Sequence, residues 1–205
     1  MFKLLLVLLF CISTFNPRVS KKMPDENYKK ALEMAAQMDN SFQKDYNDMR
    51  NEDFLKIISM IESSGGQNTN HREIQSGIHE GHRAAGQYGL MPNTMQEIAN
   101  RMNQDGSLSD ELRQVTSLPP DQMKAAIESN PMYERQLAEY LANQVLNRQH
   151  GDEEKAAYSW FQGHNLSPQE IQQRNYKEHD YVKKFNEYRD PENFQKLSEL
   201  MNRKP

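Results

Sequence analysis

The stretch "IISMIESSGG", residues 57–66, places a carboxylate at the end of an apolar run and then interrupts the chain with serines and glycines. Apolar residues at helical spacing lead up to it: Phe54, Ile57, Ile58 and Ile61. This stripe predicts an amphipathic helix that is buried on one face and ends at Ser63–Gly66. Glu62 therefore lies at the inner end of a buried helix. A glutamate kept half out of water has a raised pKa and can hold a proton at neutral pH, as a general acid must.

The composition bounds the class of protein. The chain has 205 residues and a formal net charge of −4, with a pI near 5.9 and a mean hydropathy of −0.96. This length suggests one domain, or one domain and a short arm. Such a polar chain would not span a membrane through its body, and it is not basic enough to indicate a nucleic-acid partner.

The N-terminus carries the one apolar block. Lys3 is followed by an apolar run from Leu4 to Ile12, and polar residues follow from Asn16. We expect residues 1–20 to be a signal peptide, or else an uncleaved anchor, and the protein to be periplasmic or secreted. Cys11 is the one cysteine, so a mature chain without this segment would contain no disulfide and no thiol nucleophile.

The sequence predicts that the rest of the chain is mostly helical. We expect a helical arm over residues 21–50, a main domain over 51–190 and a C-terminal helix over 191–205. Further helices are predicted from caps and apolar spacing at 51–62, 92–102, 120–130, 133–148, 153–161, from 168, 176–188 and 192–202. Residues 67–85 should form a long polar loop, and residues 103–117 look irregular. No segment alternates like an amphipathic strand, so the predicted fold class is mostly α.

Three stretches, in order along the chain, resemble blocks of the soluble lytic transglycosylase family, which shares a lysozyme-like fold with goose-type lysozymes. They are "IISMIESSGG", "AAGQYGLMPNT" (Ala84–Thr94) and "AAYSWFQG" (Ala156–Gly163). Weaker similarities are "YERQLAEYLANQV" and the Tyr181–Val182 pair in "HDYVKKF". The resemblance covers about residues 54–188 and implies a lysozyme-like helical domain with an extended polar loop after the catalytic helix.

The resemblance also implies an activity and a set of site residues. Glu62 would be the general acid and base that cleaves peptidoglycan between N-acetylmuramic acid and N-acetylglucosamine, leaving a 1,6-anhydro end. Tyr158 stands at the position of the tyrosine that hydrogen-bonds the catalytic carboxyl. The remaining supporting or substrate-binding residues would be Ser63, Gly86, Tyr88, Leu90, Met91, Gln162 and Tyr181.

The chain departs from the family pattern at the second and third blocks. Gly89 takes the place of the family's glutamine if Gly86 is aligned with the first glycine, although Gly89 itself can be aligned there instead. Ser159 replaces the family's asparagine, and residues 160–162 lengthen the gap to Gly163. Ser159 could donate a hydrogen bond to a sugar or to a backbone carbonyl.

A hydrolase would need a second carboxylate. An inverting muramidase holds it about 6.5–9.5 Å from the acid to activate water. Only Glu73 and Glu80, both in the 67–85 loop, are available for this role, whereas a transglycosylase works with Glu62 alone. The loop also contains His71, His79 and His82, but their spacing does not match a zinc site. We therefore expect a transglycosylase that needs no metal or cofactor.

Other functions remain open from the sequence. The alternatives are a muramidase that hydrolyses the same bond, a non-catalytic cell-wall-binding or assembly factor, and a helical chaperone-like secreted module. The expected partner is the peptidoglycan glycan strand, not nucleic acid. Contact with a membrane is expected only through an uncleaved N-terminal segment, and a monomer is assumed.

Overall fold

The computed structural model describes residues 47–75, 81 and 83–202. The expected signal peptide at 1–20 and nearly all of the expected arm at 21–50 lie outside the described residues. The described residues belong to one compact unit, Tyr46–Pro205. Within the described residues, no helix is long and apolar enough to cross a membrane.

The fold is mostly α-helical, as the sequence predicts, and no strand occurs among the described residues. Residues 47–63 are helical and are named α1. The following helices are α2 (Pro92–Gln104), α3 (Asp110–Thr116), α4 (Pro120–Ser129), α5 (Pro131–Arg148), α6 (Glu153–Gln162), α7 (Pro168–Gln172), a 3₁₀ turn (Tyr176–Glu178), α8 (Asp180–Arg189) and α9 (Pro191–Asn202).

Three predicted boundaries were wrong. The helix predicted to start at residue 51 is already helical at 47. Residues 103–117 are not irregular, because α3 forms within them: the Ser109 side chain accepts from Leu112 N, and Leu112 is fully buried. The helix predicted over 176–188 is interrupted at His179. There the chain extends, and His179 Nδ1 accepts from Tyr181 N at the start of α8.

One core connects the helices that carry the site. Phe54 of α1 packs its ring against Phe185 of α8 at 5.5 Å and against Trp160 of α6 at 6.1 Å. Burying such aromatic side chains contributes a large part of the packing energy. The α1, α6 and α8 helices are therefore joined through one aromatic contact cluster.

Candidate active site

Glu62 lies in the last turn of α1 and is half-buried. The apolar stripe of α1 draws this helix into the core, so its final carboxylate is pulled partly out of water. Burial raises the pKa of Glu62 above its usual value of 4.5. The hydrogen bond from Tyr181 and the positive charges of His71 and Lys184 oppose this rise. The raised pKa increases the fraction of Glu62 that is protonated at a given pH.

Tyr181 is the hydrogen-bond partner of this carboxyl. Its hydroxyl donates to Glu62 Oε1 at 2.7 Å, across 119 residues of sequence. The Tyr181 side chain is buried, and burial together with the nearby Glu62 charge raises the pKa of Tyr181 well above 10.0. The hydroxyl therefore stays protonated and remains a donor at any pH of interest. It holds one carboxyl oxygen of Glu62 in place.

The segment from Gly86 to Gly89, which we call the glycine loop, lies against the other carboxyl oxygen. The two residues that flank the loop are paired, because Ala85 N donates to the Leu90 carbonyl at 2.9 Å. Gly89 has φ +67, and a Cβ there would lie only 2.6 Å from Glu62 Oε2. The positive φ and the short distance to Oε2 both require a residue without a side chain at this position. Gly89, which departs from the family pattern in the second block under one alignment, is therefore the point at which the loop backbone lies against the Glu62 carboxyl.

Two serines of α1 hold the glycine loop from one side. Ser63 Oγ donates to the Gln87 carbonyl at 2.7 Å and accepts from Gly66 N at 2.8 Å. The Gln87 side-chain Nε2 donates to Ser59 Oγ at 2.7 Å. Ser63 is only 1% exposed. Its predicted supporting role is thus a positioning one inside the protein, since a buried hydroxyl has no access to a substrate.

Glu134 of α5 holds the same loop from the other side. Its carboxylate accepts from Gln87 N and from Tyr88 N, each at 2.7 Å, and the residue is 1% exposed. Burial raises the pKa of Glu134 to about 7, although the two backbone N–H donors oppose the rise. A Cβ at Gly86, where φ is +66, would overlap this carboxylate. Gly86 is therefore needed for the loop to approach Glu134.

Glu134 was not identified from the sequence, although a signal was present. It lies on the same helical stripe as Leu137, Ala138 and Leu141, all of which are buried. A glutamate on an apolar stripe was the observation that singled out Glu62, and the same reasoning applies to Glu134. The weaker similarity of "YERQLAEYLANQV" contains this residue.

The hydrogen bond that the resemblance assigned to Tyr158 is made by Tyr181 in the structure. Tyr158 is 6% exposed, and its ring packs against Tyr176 at 6.1 Å and against His179 at 5.4 Å. These contacts place Tyr158 in a second apolar cluster with Ile171 and Val182. Tyr181 had been expected only as a supporting residue.

Four of the predicted substrate-binding residues occupy different environments. Tyr88 and Leu90 are buried in the main core at 6% and 3% exposure, so their side chains are not free to line a groove. Met91 is half-buried directly before α2. Gln162 is exposed at the end of α6, with its Nε2 3.4 Å from His179 Nε2. Of these four side chains, only Gln162 is largely exposed to solvent.

Ser159 and His71, a described residue of the polar loop, can also be placed. Ser159 is fully buried, and its hydroxyl donates to the Gly163 carbonyl at 3.3 Å, so of its two possible partners it bonds the backbone carbonyl. His71 Nε2 lies 2.7 Å from the Gly86 carbonyl. A carbonyl only accepts, so this nitrogen donates. His71 is thus a third support of the glycine loop.

Glu73 and Glu80 had been considered as second carboxylates. Glu73 pairs with Arg83 at 3.7 Å on the surface. Glu80, like His79 and His82, lies outside the described residues. No group of three or more His, Cys, Asp and Glu side chains arranged to hold a metal ion occurs within the described part of the chain. A cleft lined by residues that include Asn100, Asn103 and Arg113 shares no residue with the Glu62 site.

The chain was compared with protein-family models, with curated proteins and with solved structures, and none of the three comparisons gave a match. The site is thus defined by its own geometry. A half-buried carboxyl is held by a tyrosine hydroxyl on one oxygen and faced by a glycine backbone at the other.

Proposed function

We propose that this protein is a peptidoglycan lytic transglycosylase with a lysozyme-like helical domain. The observation that carries the proposal is the Glu62 carboxyl, which is half-buried at the end of an apolar helix and fixed by Tyr181. The order of the three family-like blocks supports it, and so do the contacts of the first two: Ser63 bonds the Gln87 carbonyl, and Gly89 lies against the Glu62 carboxyl.

Glu62 acts first as an acid. The protonated carboxyl gives its proton to the glycosidic oxygen between N-acetylmuramic acid and N-acetylglucosamine while the C1–O bond breaks and positive charge builds at C1. A raised pKa supports this step, because a larger fraction of Glu62 is protonated near neutral pH. Tyr181 then stabilises the carboxylate that is left, by donating to Oε1.

The same carboxylate then acts as a base. It takes the proton of the muramoyl C6 hydroxyl, whose oxygen attacks C1 and closes the 1,6-anhydro ring. The proton balance closes on Glu62, and no water is consumed. Among the described residues, the charges that act on Glu62 come from His71 and Lys184, and Glu73 is paired with Arg83. The proposed route needs only the Glu62 carboxylate, and we prefer it to that of a muramidase.

The test is mass spectrometry of the soluble products from purified peptidoglycan. We expect anhydromuropeptides from the wild type and a loss of about 10³-fold in their rate of release for Glu62→Gln. Glu52→Gln is the matched control, because Glu52 is an exposed glutamate on the same helix. Products heavier by one water would indicate a muramidase, and full activity of Glu62→Gln would exclude Glu62 as the acid.

A further inference from the structure

An aromatic ring remains open to solvent beside the candidate site. Phe161, in the last turn of α6, is 50% exposed. The other large hydrophobic residues with high exposure in the described part of the chain are Met49 and Met132, neither of which is aromatic. Exposing a phenylalanine forgoes favourable burial.

The Phe161 ring is held in a fixed orientation. It stacks on the Tyr181 ring at 4.9 Å with an interplanar angle of 26°, and it contacts the His179 ring at 5.0 Å. His179 is itself fixed, because its Nδ1 accepts from Tyr181 N and its ring meets Tyr158 edge-on at 5.4 Å. Tyr181 thus lies over one face of Phe161, while half of the residue remains exposed.

The fixed ring lies one side chain away from the proposed acid. The tyrosine whose ring stacks on Phe161 is the tyrosine whose hydroxyl donates to Glu62 Oε1. The Tyr181 side chain therefore spans the separation between the open aromatic face and the Glu62 carboxyl. A glycan with a glycosidic oxygen at Glu62 extends over neighbouring sugar rings, and Phe161 is separated from that carboxyl by one side chain.

The chemistry of the surface suits a sugar. The face of a phenylalanine ring carries partial negative charge, which attracts weakly positive C–H groups. A β-linked N-acetylhexosamine ring has equatorial substituents, so its faces present C–H bonds. Exposed Gln162 and the His179 Nε2, 3.4 Å apart, lie beside the ring and offer polar groups to hydroxyl or acetamido substituents.

We propose that Phe161 is a stacking platform for a pyranose ring of the β-1,4-linked glycan, next to the bond that Glu62 cleaves. This inference rests on the proposed function and adds a substrate-binding residue to that site. Gln162 borders the platform, and Tyr181 supports it from below while also holding Glu62.

The test measures binding separately from cleavage. The parent protein is Glu62→Gln, which should not cut, and the probe is the β-1,4-linked N-acetylglucosamine hexasaccharide, titrated by calorimetry. Phe161→Leu keeps an apolar side chain over Tyr181 but removes the flat face, and we expect it to raise Kd about tenfold. Phe161→Trp should bind at least as tightly as the parent. Met132→Ala, at a similarly exposed apolar position on α5, should bind like the parent.

The outcomes separate the platform from the proposed reaction. Loss of binding in Phe161→Leu supports the platform even if the wild type shows no cleavage, in which case the proposed reaction alone fails. Unchanged binding in Phe161→Leu, or no binding by the parent, overturns the platform whatever the cleavage result. If Phe161 only positions Tyr181, Phe161→Leu in the wild type would change the pH dependence of cleavage and leave binding unchanged.

Discussion

Tyr181 and Glu62 form the hydrogen bond on which the site is built: a buried hydroxyl on α8 donates to the last carboxylate of α1 at 2.7 Å. Burial and this hydrogen bond have opposite effects on the pKa of Glu62. Burial raises the pKa of Glu62, whereas this hydrogen bond lowers it, because a donated hydrogen bond stabilises the charged form. The balance suits a group that must first give a proton and then take one back.

The first prediction concerns pH. The proposed cleavage needs a protonated Glu62, so its rate should fall as pH rises through the raised pKa of this carboxyl. Tyr181→Phe removes the bond that lowers this pKa, so the alkaline limb should move to higher pH. The maximal rate should fall about tenfold because the carboxyl loses its orientation. The measurement is the pH profile of the initial rate on solubilised glycan strands.

A matched tyrosine controls for general damage to the fold. Tyr176→Phe alters a buried tyrosine whose ring packs at a tilt against Tyr158 in the second apolar cluster. This variant should leave the alkaline limb of the pH profile at the wild-type position. A limb that moves to lower pH in Tyr181→Phe would contradict the assigned direction.

The second prediction concerns the glycine at the carboxyl. Gly89→Ala should reduce cleavage by about 10²-fold or more, because a Cβ there would lie 2.6 Å from Glu62 Oε2 and displace it. Gly106→Ala is the control: its φ of +71 imposes the same backbone strain, but a Cβ there meets no atom within 4 Å. Each should cost about 1 kcal/mol of stability from φ alone. Equal activity in the two variants would disprove the contact.

The third prediction concerns Glu134 and stability. Its pKa is about 7 in the folded protein against 4.5 as the reference, so the folded chain holds a proton that the unfolded chain releases. The free energy of unfolding should therefore fall as pH rises from 4.5 to 7, by about 3 kcal/mol from this group. Glu134→Gln should lose this part of the pH dependence, measured by urea unfolding at pH 4 to 8.

An exposed glutamate of the same helix provides the comparison for this effect. Glu139→Gln changes the same kind of side chain on α5, where it pairs with Arg135 on the surface. It should retain the wild-type dependence on pH. The same slope in Glu134→Gln as in the wild type would show that Glu134 does not titrate in this window.

The fourth prediction concerns Ser63. Ser63→Ala removes a buried hydroxyl that joins Gln87 and Gly66, and it leaves both backbone groups without this partner. We expect a loss of about 2 kcal/mol in the free energy of unfolding. Ser129→Ala removes an exposed hydroxyl that bonds only the nearby Ala126 carbonyl, and it should cost less than about 0.5 kcal/mol. A similar small loss for Ser63→Ala would show that the glycine loop is held by its other contacts.

The helices and the position of Glu62 could be predicted from the sequence. Their signals are local: apolar residues every three or four positions, capping residues such as Ser167, and a break of serines and glycines after residue 62. The α3 helix was missed although its signal was also local, since Ser109 caps a turn that buries Leu112. The α3 helix has only 7 residues, which is too short for a clear apolar periodicity in the sequence.

Only the tertiary structure decided which groups surround Glu62. Tyr181 rather than Tyr158 reaches the carboxyl, because the turn at His179 and the packing of α8 set which ring faces α1. Glu134 reaches the glycine loop across 46 residues from Tyr88. Such contacts depend on how helices distant in sequence cross, and side-chain periodicity sets the buried face of each helix but not its partner. The position of Glu62, the proposed acid, at the end of an apolar helix could therefore be predicted from the sequence, whereas its hydrogen-bond donor, the glycine loop beside it and the contacts of Phe161 depend on how the helices pack.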